Sequence, residues 1–277
     1  MSIPLSPGTA LVIQEKDDPN PKYPSGRIQK GLVLWHDTID LSEEGVGFGV
    51  PVLKRGHETV YPGSVRLHAS GDGRTTLVES FYNLNIRERM YIGGKPVKGT
   101  ALYRFRERFS RLHRRHPFLR TSLDRSNALI ERAFPIRRAF EEGVSSGQAS
   151  VEYRVDPGRQ TISISLDLGH GRFDGRSEIF MMNELGASYF DEYHDSQGHH
   201  LKKKSIGAWE EVLSDEASFR DPAHWLSFTL AMIHGAKLFR GREFVPGKLA
   251  WAGLSYRLPE QATKFSYWIR IAGEARP

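Results

Sequence analysis

"TTLVESFYNLNI" occupies residues 75–86, and its reading decides the fold. Leu77, Glu79, Phe81, Asn83 and Asn85 fall on one side of an extended chain. Thr76, Val78, Ser80, Tyr82, Leu84 and Ile86 fall on the other. A period of two with β-branched and aromatic residues specifies a half-buried strand. The surrounding "HETVYPGSVRLHASGDGRTTLVESFYNLNIRERMYIGG" (57–94) continues the pattern, with "PGS" and "SGDGR" as turn signals between strands.

Working outward, the same signature recurs. "GLVLWHDTIDL" (31–41) opens with an apolar run of strand length, and "GVGFGVPVL" (45–53) follows. After residue 150, "SVEYRV" and "TISISLDL" flank "DPGRQ", a hairpin turn. "EIFMMNE", "ASYFDEYHD", "LAWAGLSYRL" and "FSYWIRIA" read as further strands. "SFRDPAHWLSFTLAMIHGAKLF" (218–239) fits strand or helix. Many short strands with Gly/Pro turns specify a mainly β fold, a sandwich or barrel.

Two segments break this pattern. Residues 1–30, with "KDDPNPKYPSGR", read as an irregular leader ahead of one β-rich domain over 31–277. In "TALYRFRERFSRLHRRHPF", Leu102, Phe105, Phe109, Leu112 and His116 recur at three and four. That spacing predicts an amphipathic helix, and with "NALIERAF" it predicts a helical insertion near 100–140, its insert bounded at 100–142.

The chain has no cysteine, which excludes disulfides, thiol nucleophiles and thiolate metal sites. The N-terminus lacks the basic and apolar regions of a signal peptide, and no run approaches a membrane span, so a soluble cytoplasmic protein is the expectation. The net charge of +6 is matched by residues 101–142 alone, where eleven Arg face five acids. A polyanionic partner would meet the segment Arg104 to Arg138 first.

The densest chemistry lies in "NELGASYFDEYHDSQGHHLKKK", Asn183 to Lys204. "DSQG" is a turn, so His194 faces His199 or His200 and an acid, Asp191 or Glu192, faces Lys202. One outcome is a charged, solvated hairpin. Another is a sugar site, because tyrosine rings pack on sugar faces and carboxylates accept hydroxyl hydrogens. Alternation puts Tyr189, Asp191, Tyr193 and Asp195 on one side. A third is a divalent metal held by His194, His199 and His200 with Asp191 or Glu192.

Elsewhere, Glu79 shares a strand face with Leu77 and Phe81, and Glu184 follows "IFMMN". A carboxylate on an apolar face is strained or useful. His36 and Asp37 end a strand where a proton could be shuttled. "LFRGREF" (238–244) offers Arg242 to an anionic group. "GVGFG" lacks the helix a dinucleotide fingerprint needs and reads as close packing or a bulge. P-loop, zincin and α/β-hydrolase motifs are absent from the sequence.

The layout of glycine-rich early strands, helical insertion and aromatic-rich late strands resembles the large β-sandwiches that include aldose epimerases and several polysaccharide lyases. The resemblance is one of architecture, and no family motif matches residue by residue. It implies sugar binding on a concave sheet with His, Tyr and carboxylates in acid–base roles.

The expectation is therefore a carbohydrate-active enzyme, an epimerase, lyase or hydrolase, acting on a small-molecule or oligosaccharide ligand. Its catalytic set would be Glu79, Glu184, Tyr189, Asp191 and His194, with Tyr193, Arg242 and Trp209 binding substrate and no obligatory cofactor. Two alternatives stand beside it. One is a non-catalytic protein using the Arg-rich helix on an acidic partner. The other is a barrel enclosing an apolar, terpenoid-like ligand among Trp35, Trp251 and Trp268.

Overall fold

The computed structural model describes residues 1–15, 27–56, 58–71, 74–92, 94–96, 136–169, 177–207, 209–245 and 249–273. Within them the chain is almost entirely antiparallel β-structure, with one 3-10 turn at Lys203–Ser205 and no α-helix. Most of the predicted helical insertion, bounded at 100–142, falls on 97–135, outside the described residues, as does the Arg-rich stretch up to Arg132. Its last seven positions, Ile136–Glu142, form a strand instead.

The strands in chain order are β1 (Ser2–Ser6), β2 (Thr9–Val12), β3 (Val33–His36), β4 (Ile39–Asp40), β5 (Gly47–Arg55), β6 (Glu58–Gly71) and β7 (Thr76–Ile92). There follow β8 (Lys95–Pro96), β9 (Ile136–Glu142), β10 (Gln148–Asp156), β11 (Thr161–Asp167), β12 (Glu178–Leu185), β13 (Glu192–Asp195) and β14 (His200–Lys202). The last are β15 (Glu210–Glu211), β16 (Glu216–Asp221), β17 (Leu226–Ala231), β18 (Lys237–Val245), β19 (Leu249–Arg257) and β20 (Lys264–Gly273).

Strands β1 to β4 make a small meander. The leader expected to be irregular thus begins with a hairpin, in which Ile3, Leu5 and Leu11 alternate with more exposed residues and are buried in the main core. The remaining strands form one continuous ladder in the order β14-β13-β16-β17-β20-β11-β10-β7-β6-β5-β12-β19-β18-β15, with β8 and β9 on β7. Distant members of that ladder touch across a shared core. Phe48 of β5 meets Phe228 of β17 edge-on at 5.3 Å, and Tyr256 of β19 meets Tyr267 of β20 at 4.9 Å. The ladder therefore turns back on itself as a sandwich, with the core between its layers.

The deciding stretch 75–86 lies in β7. Val78, Ser80, Tyr82, Leu84 and Ile86 are the buried face, while Glu79 and Phe81 face solvent. "PGS" (62–64) is not a turn. It is an irregularity inside β6, where pairing with β7 shifts between Tyr61 and Ser64, a placement that suits a residue without an N–H. The ambiguous 218–239 segment resolves into β16 and β17 joined at "PAHW", and the start of β18.

The glycine cluster is a bulge, as the missing helix implied. Pairing of β5 with β12 slips between Met182 and Asn183, and Gly49 sits there at φ +73°. A β-carbon on Gly49 would lie 2.5 Å from Tyr153 Cε1. This close approach organises a dry polar network. Tyr153 donates to the Gly49 carbonyl at 2.9 Å and shares a 2.7 Å hydrogen bond with Tyr82. Asn183 Oδ1 accepts from Gly49 N at 3.0 Å and from Tyr267 at 2.8 Å. Every member is paired, which is what allows such groups to be buried.

Candidate functional site

The loop 186–191, "GASYFD", links β12 to β13 and anchors one corner of the molecule. Phe190 is fully buried and packs edge-on against Phe228 at 5.4 Å. Gly186 is required by close approach, since a β-carbon there would lie 2.7 Å from Glu43 Oε2. Two side chains grip the loop. Glu43 Oε2 accepts from Ser188 N at 2.9 Å, and Arg242 Nη2 donates to the Ala187 carbonyl at 2.8 Å. Burial lowers the Arg242 pKa, against the opposing charges of Asp191 and Glu43.

This clamp sets Tyr189 against His224, ring centroids 5.7 Å apart, and His224 in turn lies 5.1 Å from His36. His224 belongs to the turn between β16 and β17. Asp221 ends β16, and Pro222 suits the second position of the turn. The Asp221 carboxylate is buried and accepts three hydrogen bonds. They come from Ala223 N at 3.0 Å, His224 N at 3.3 Å and His224 Nδ1 at 2.6 Å. An ionised carboxylate only accepts, so Nδ1 is the donor, and in the neutral ring Nε2 then keeps the basic lone pair. His36 Nδ1 is 3.3 Å from Thr9 Oγ1, and its Nε2 is 3.8 Å from Asp37 Oδ2. The arrangement can accept a proton at one imidazole beside a tyrosine ring and a second imidazole.

The expected residues do not all meet there. Tyr189 does, and Asp191 flanks the loop with Lys203 Nζ 3.5 Å away. Glu79 is on the solvent face of β7, opposite His68 and Glu152 on neighbouring strands. Glu184 is buried in β12, with the backbone of Gly45 and Gly253 packed tightly on it. Tyr193 is a core residue, 1% exposed, whose hydroxyl donates to Asp195 Oδ2 at 2.9 Å and whose ring lies under Arg240. Arg242 directs its charge to the loop and two carboxylates rather than to an incoming anion. Trp209 is stacked on Trp251 at 4.8 Å. The three tryptophans of the apolar-ligand reading do not line one cavity, because Trp268 is 41% exposed and Trp251 is stacked under Trp209.

The hairpin registers as the turn implied: Glu192 faces Lys202 and His194 faces His200. Asp195 Oδ1 accepts from Gln197 N and His199 N and so shapes the turn, and the His199 ring sits on the same carboxylate at 3.0 Å. His199 is therefore separated from His194 and His200. Burial works against the Glu192 charge, but Lys202 and the two imidazoles prevail and hold its carboxyl below the usual range.

Reading the residues alone misses Asp221 and His224. Their signal is present: Asp-Pro opens a turn, and an Asp at its first position points its carboxylate at the residues two and three ahead.

No protein-family model matches the chain, and no curated protein matches it. Solved structures do. An alpha-N-acetylgalactosaminidase, NagBb from Bifidobacterium bifidum in complex with GalNAc, superposes with a TM-score of 0.50 at 10% identity. The match covers 100% of this chain and 36% of that one. An alpha-galactosidase from Lactobacillus brevis matches with a TM-score of 0.36 at 5% identity, over 80% of this chain and 29% of the enzyme. The chain thus spans about a third of the length of these proteins. At such identity the likeness to the first is one of fold alone.

Proposed function

We propose that this chain is a carbohydrate-active protein whose sugar site is the corner built by Tyr189, His36, His224 and Asp221. The observation that carries the reading is the 2.6 Å contact of His224 Nδ1 with a buried carboxylate, beside a tyrosine ring. A half-buried imidazole oriented by a buried carboxylate, beside a tyrosine ring, is a unit for moving a proton at neutral pH. Tyr189 would pack on the sugar ring and serve as proton donor, and His224 Nε2 would serve as acceptor. Glu43 and Arg242 would position Tyr189 through the loop. Hydrolysis through two facing carboxylates has less support here, because Asp221 is committed to three hydrogen bonds. Proton transfer of the epimerase or lyase kind fits the groups better.

The fold-mate's complex with GalNAc recommends galactose-configured sugars as first ligands. The test is calorimetry against GalNAc, galactose, their α-glycosides and uronate oligomers, with NMR in D2O to detect exchange at ring carbons. Binding that is lost in Tyr189→Ala and deuterium uptake that is lost in His224→Ala are the expected results. Uptake or binding unchanged in both variants would remove this corner from consideration.

A further inference from the structure

We propose that the outward face of the β13–β14 hairpin is a divalent transition-metal site of zinc type, ligated by Glu192, His194 and His200. It is independent of the sugar site. The face is built by two adjacent cross-strand pairs. Alternation puts Glu192 and His194 on the side opposite buried Tyr193, and pairing brings His200 directly across from His194.

Glu192 Oε2 lies 3.6 Å from His194 Nε2 and 3.6 Å from His200 Nε2. One ligand atom from each of the three residues falls within 4.8 Å of the others. A zinc ion with nitrogens at ~2.0–2.1 Å in tetrahedral geometry wants its ligand atoms about 3.3 Å apart. The carboxylate is nearly in place, and the imidazoles need only close on each other by small rotations. The donor set is two imidazoles and one carboxylate, which suits zinc, copper or nickel better than calcium or magnesium.

Two further observations separate this from an ordinary surface ion-pair network. The His194 and His200 rings are stacked, centroids 4.1 Å apart at 21°, an arrangement that repels if both carry protons and that a shared cation holds together. His194 Nε2 is shielded from solvent yet reaches no hydrogen-bond partner among the described residues, its contact with Glu192 being too long for one. A shielded ring nitrogen aimed at a carboxylate oxygen and a second imidazole has a metal as its natural partner. Lys202 stays on the other carboxylate oxygen, Oε1, leaving Oε2 for the ion, and Arg220 Nη1 stands back at 4.0 Å from Oε2. Three protein ligands leave a fourth position to water.

The experiment is calorimetric titration of the metal-stripped full chain with zinc chloride, repeated on His200→Ala, His194→Ala and His199→Ala. His200 is exposed, so its loss does not threaten the fold. The expected result is one saturable equivalent in the parent, binding at least tenfold weaker in His200→Ala and His194→Ala, and parent-like binding in His199→Ala. No saturable binding up to millimolar zinc would overturn the proposal. So would a His200→Ala protein that binds as the parent does. A loss in His199→Ala equal to that in His200→Ala would overturn it too, by moving the ion to Asp195.

Discussion

Replacing Asp221 by asparagine tests the proposed site without knowledge of the substrate. The change preserves volume. The amide's carbonyl oxygen can still accept from Ala223 N and His224 N, so the turn keeps two of its three hydrogen bonds. The third cannot survive as it is. The amide nitrogen now presents hydrogens to His224 Nδ1, which itself carries one, and two donors cannot pair. The ring is expected to change tautomer, taking its hydrogen onto Nε2 and accepting from the new amide at Nδ1. A charge-assisted hydrogen bond of about 1.5–3 kcal/mol is exchanged for a neutral one of about 1 kcal/mol, a net loss of about 0.5–2 kcal/mol. With a urea slope of about 3 kcal/mol/M, the midpoint falls by about 0.2–0.7 M. The assay is long-range nitrogen–proton correlation NMR of the histidine rings at about pH 8, where a free imidazole is neutral. The parent should give an Nδ1–H signature for His224, and the variant an Nε2–H signature. Proton-transfer activity on any sugar that binds should fall with the tautomer, because the lone pair has left the substrate side. A variant that kept the parent tautomer and the parent activity would reduce Asp221 to a turn former and refute the reasoning.

The polar network in the core makes a pH prediction. Burial holds the Tyr82, Tyr153 and Tyr267 phenols above their ordinary value of 10.0, so the folded state keeps protons that the unfolded chain releases. Their contribution is present below pH ~10 and is lost as pH rises beyond it, by on the order of 1 kcal/mol per tyrosine for each pH unit above 10. Urea midpoints that stay level between pH 9 and pH 11 would contradict this. Gly49→Ala should cost at least about 2–3 kcal/mol, because it meets both a left-handed backbone and the Tyr153 ring. Gly56→Ala, at φ +59° with nothing within 4 Å, should cost about 1 kcal/mol. Thermal melts of the two variants side by side give the contrast. Tyr193→Phe should lower stability by about 1–2 kcal/mol through the lost hydrogen bond to Asp195, yet leave sugar binding at the parent level, which titration calorimetry checks.

The strands are legible because their signal is local. Alternation in 76–86, the "DPGRQ" turn and the register of the "DSQG" hairpin depend on neighbours a few residues apart, and each appears in the structure. What alternation cannot say is which face turns inward. Glu79 reads as part of a working surface because Leu77 and Phe81 share its side, but Val78, Tyr82 and Leu84 compete for the core with more apolar area and win. Tyr193 reads as a neighbour of Tyr189 on one strand face. The strand begins only at Glu192, after a loop that gives Tyr189 a direction of its own and leaves Tyr193 to the core. The His36 ring comes from a segment more than a hundred residues from those of Tyr189 and His224, and no spacing in one sequence reports such a meeting.

Backbone strain points to the same corner by an independent route. Among the described residues, six that are not glycine adopt positive φ, and Asp37, Glu43, Lys203 and Trp225 are four of them. Asp37 adjoins His36, and its N–H donates to the Gly8 carbonyl. Glu43 carries the carboxylate that holds Ser188, Lys203 donates its N–H to the Asp191 carbonyl, and Trp225 follows His224 in its turn. The left-handed region costs such residues roughly 1–2 kcal/mol each, and glycine would occupy it without that cost. At Glu43 the reason for forgoing glycine is visible, since the side chain reaches the loop that carries Tyr189. At Asp37 it is the carboxylate beside His36. Strain retained where a side chain reaches an acid–base cluster is strain in the service of that cluster's geometry, whereas strain spread evenly over the turns of the sandwich would have meant only tight connections.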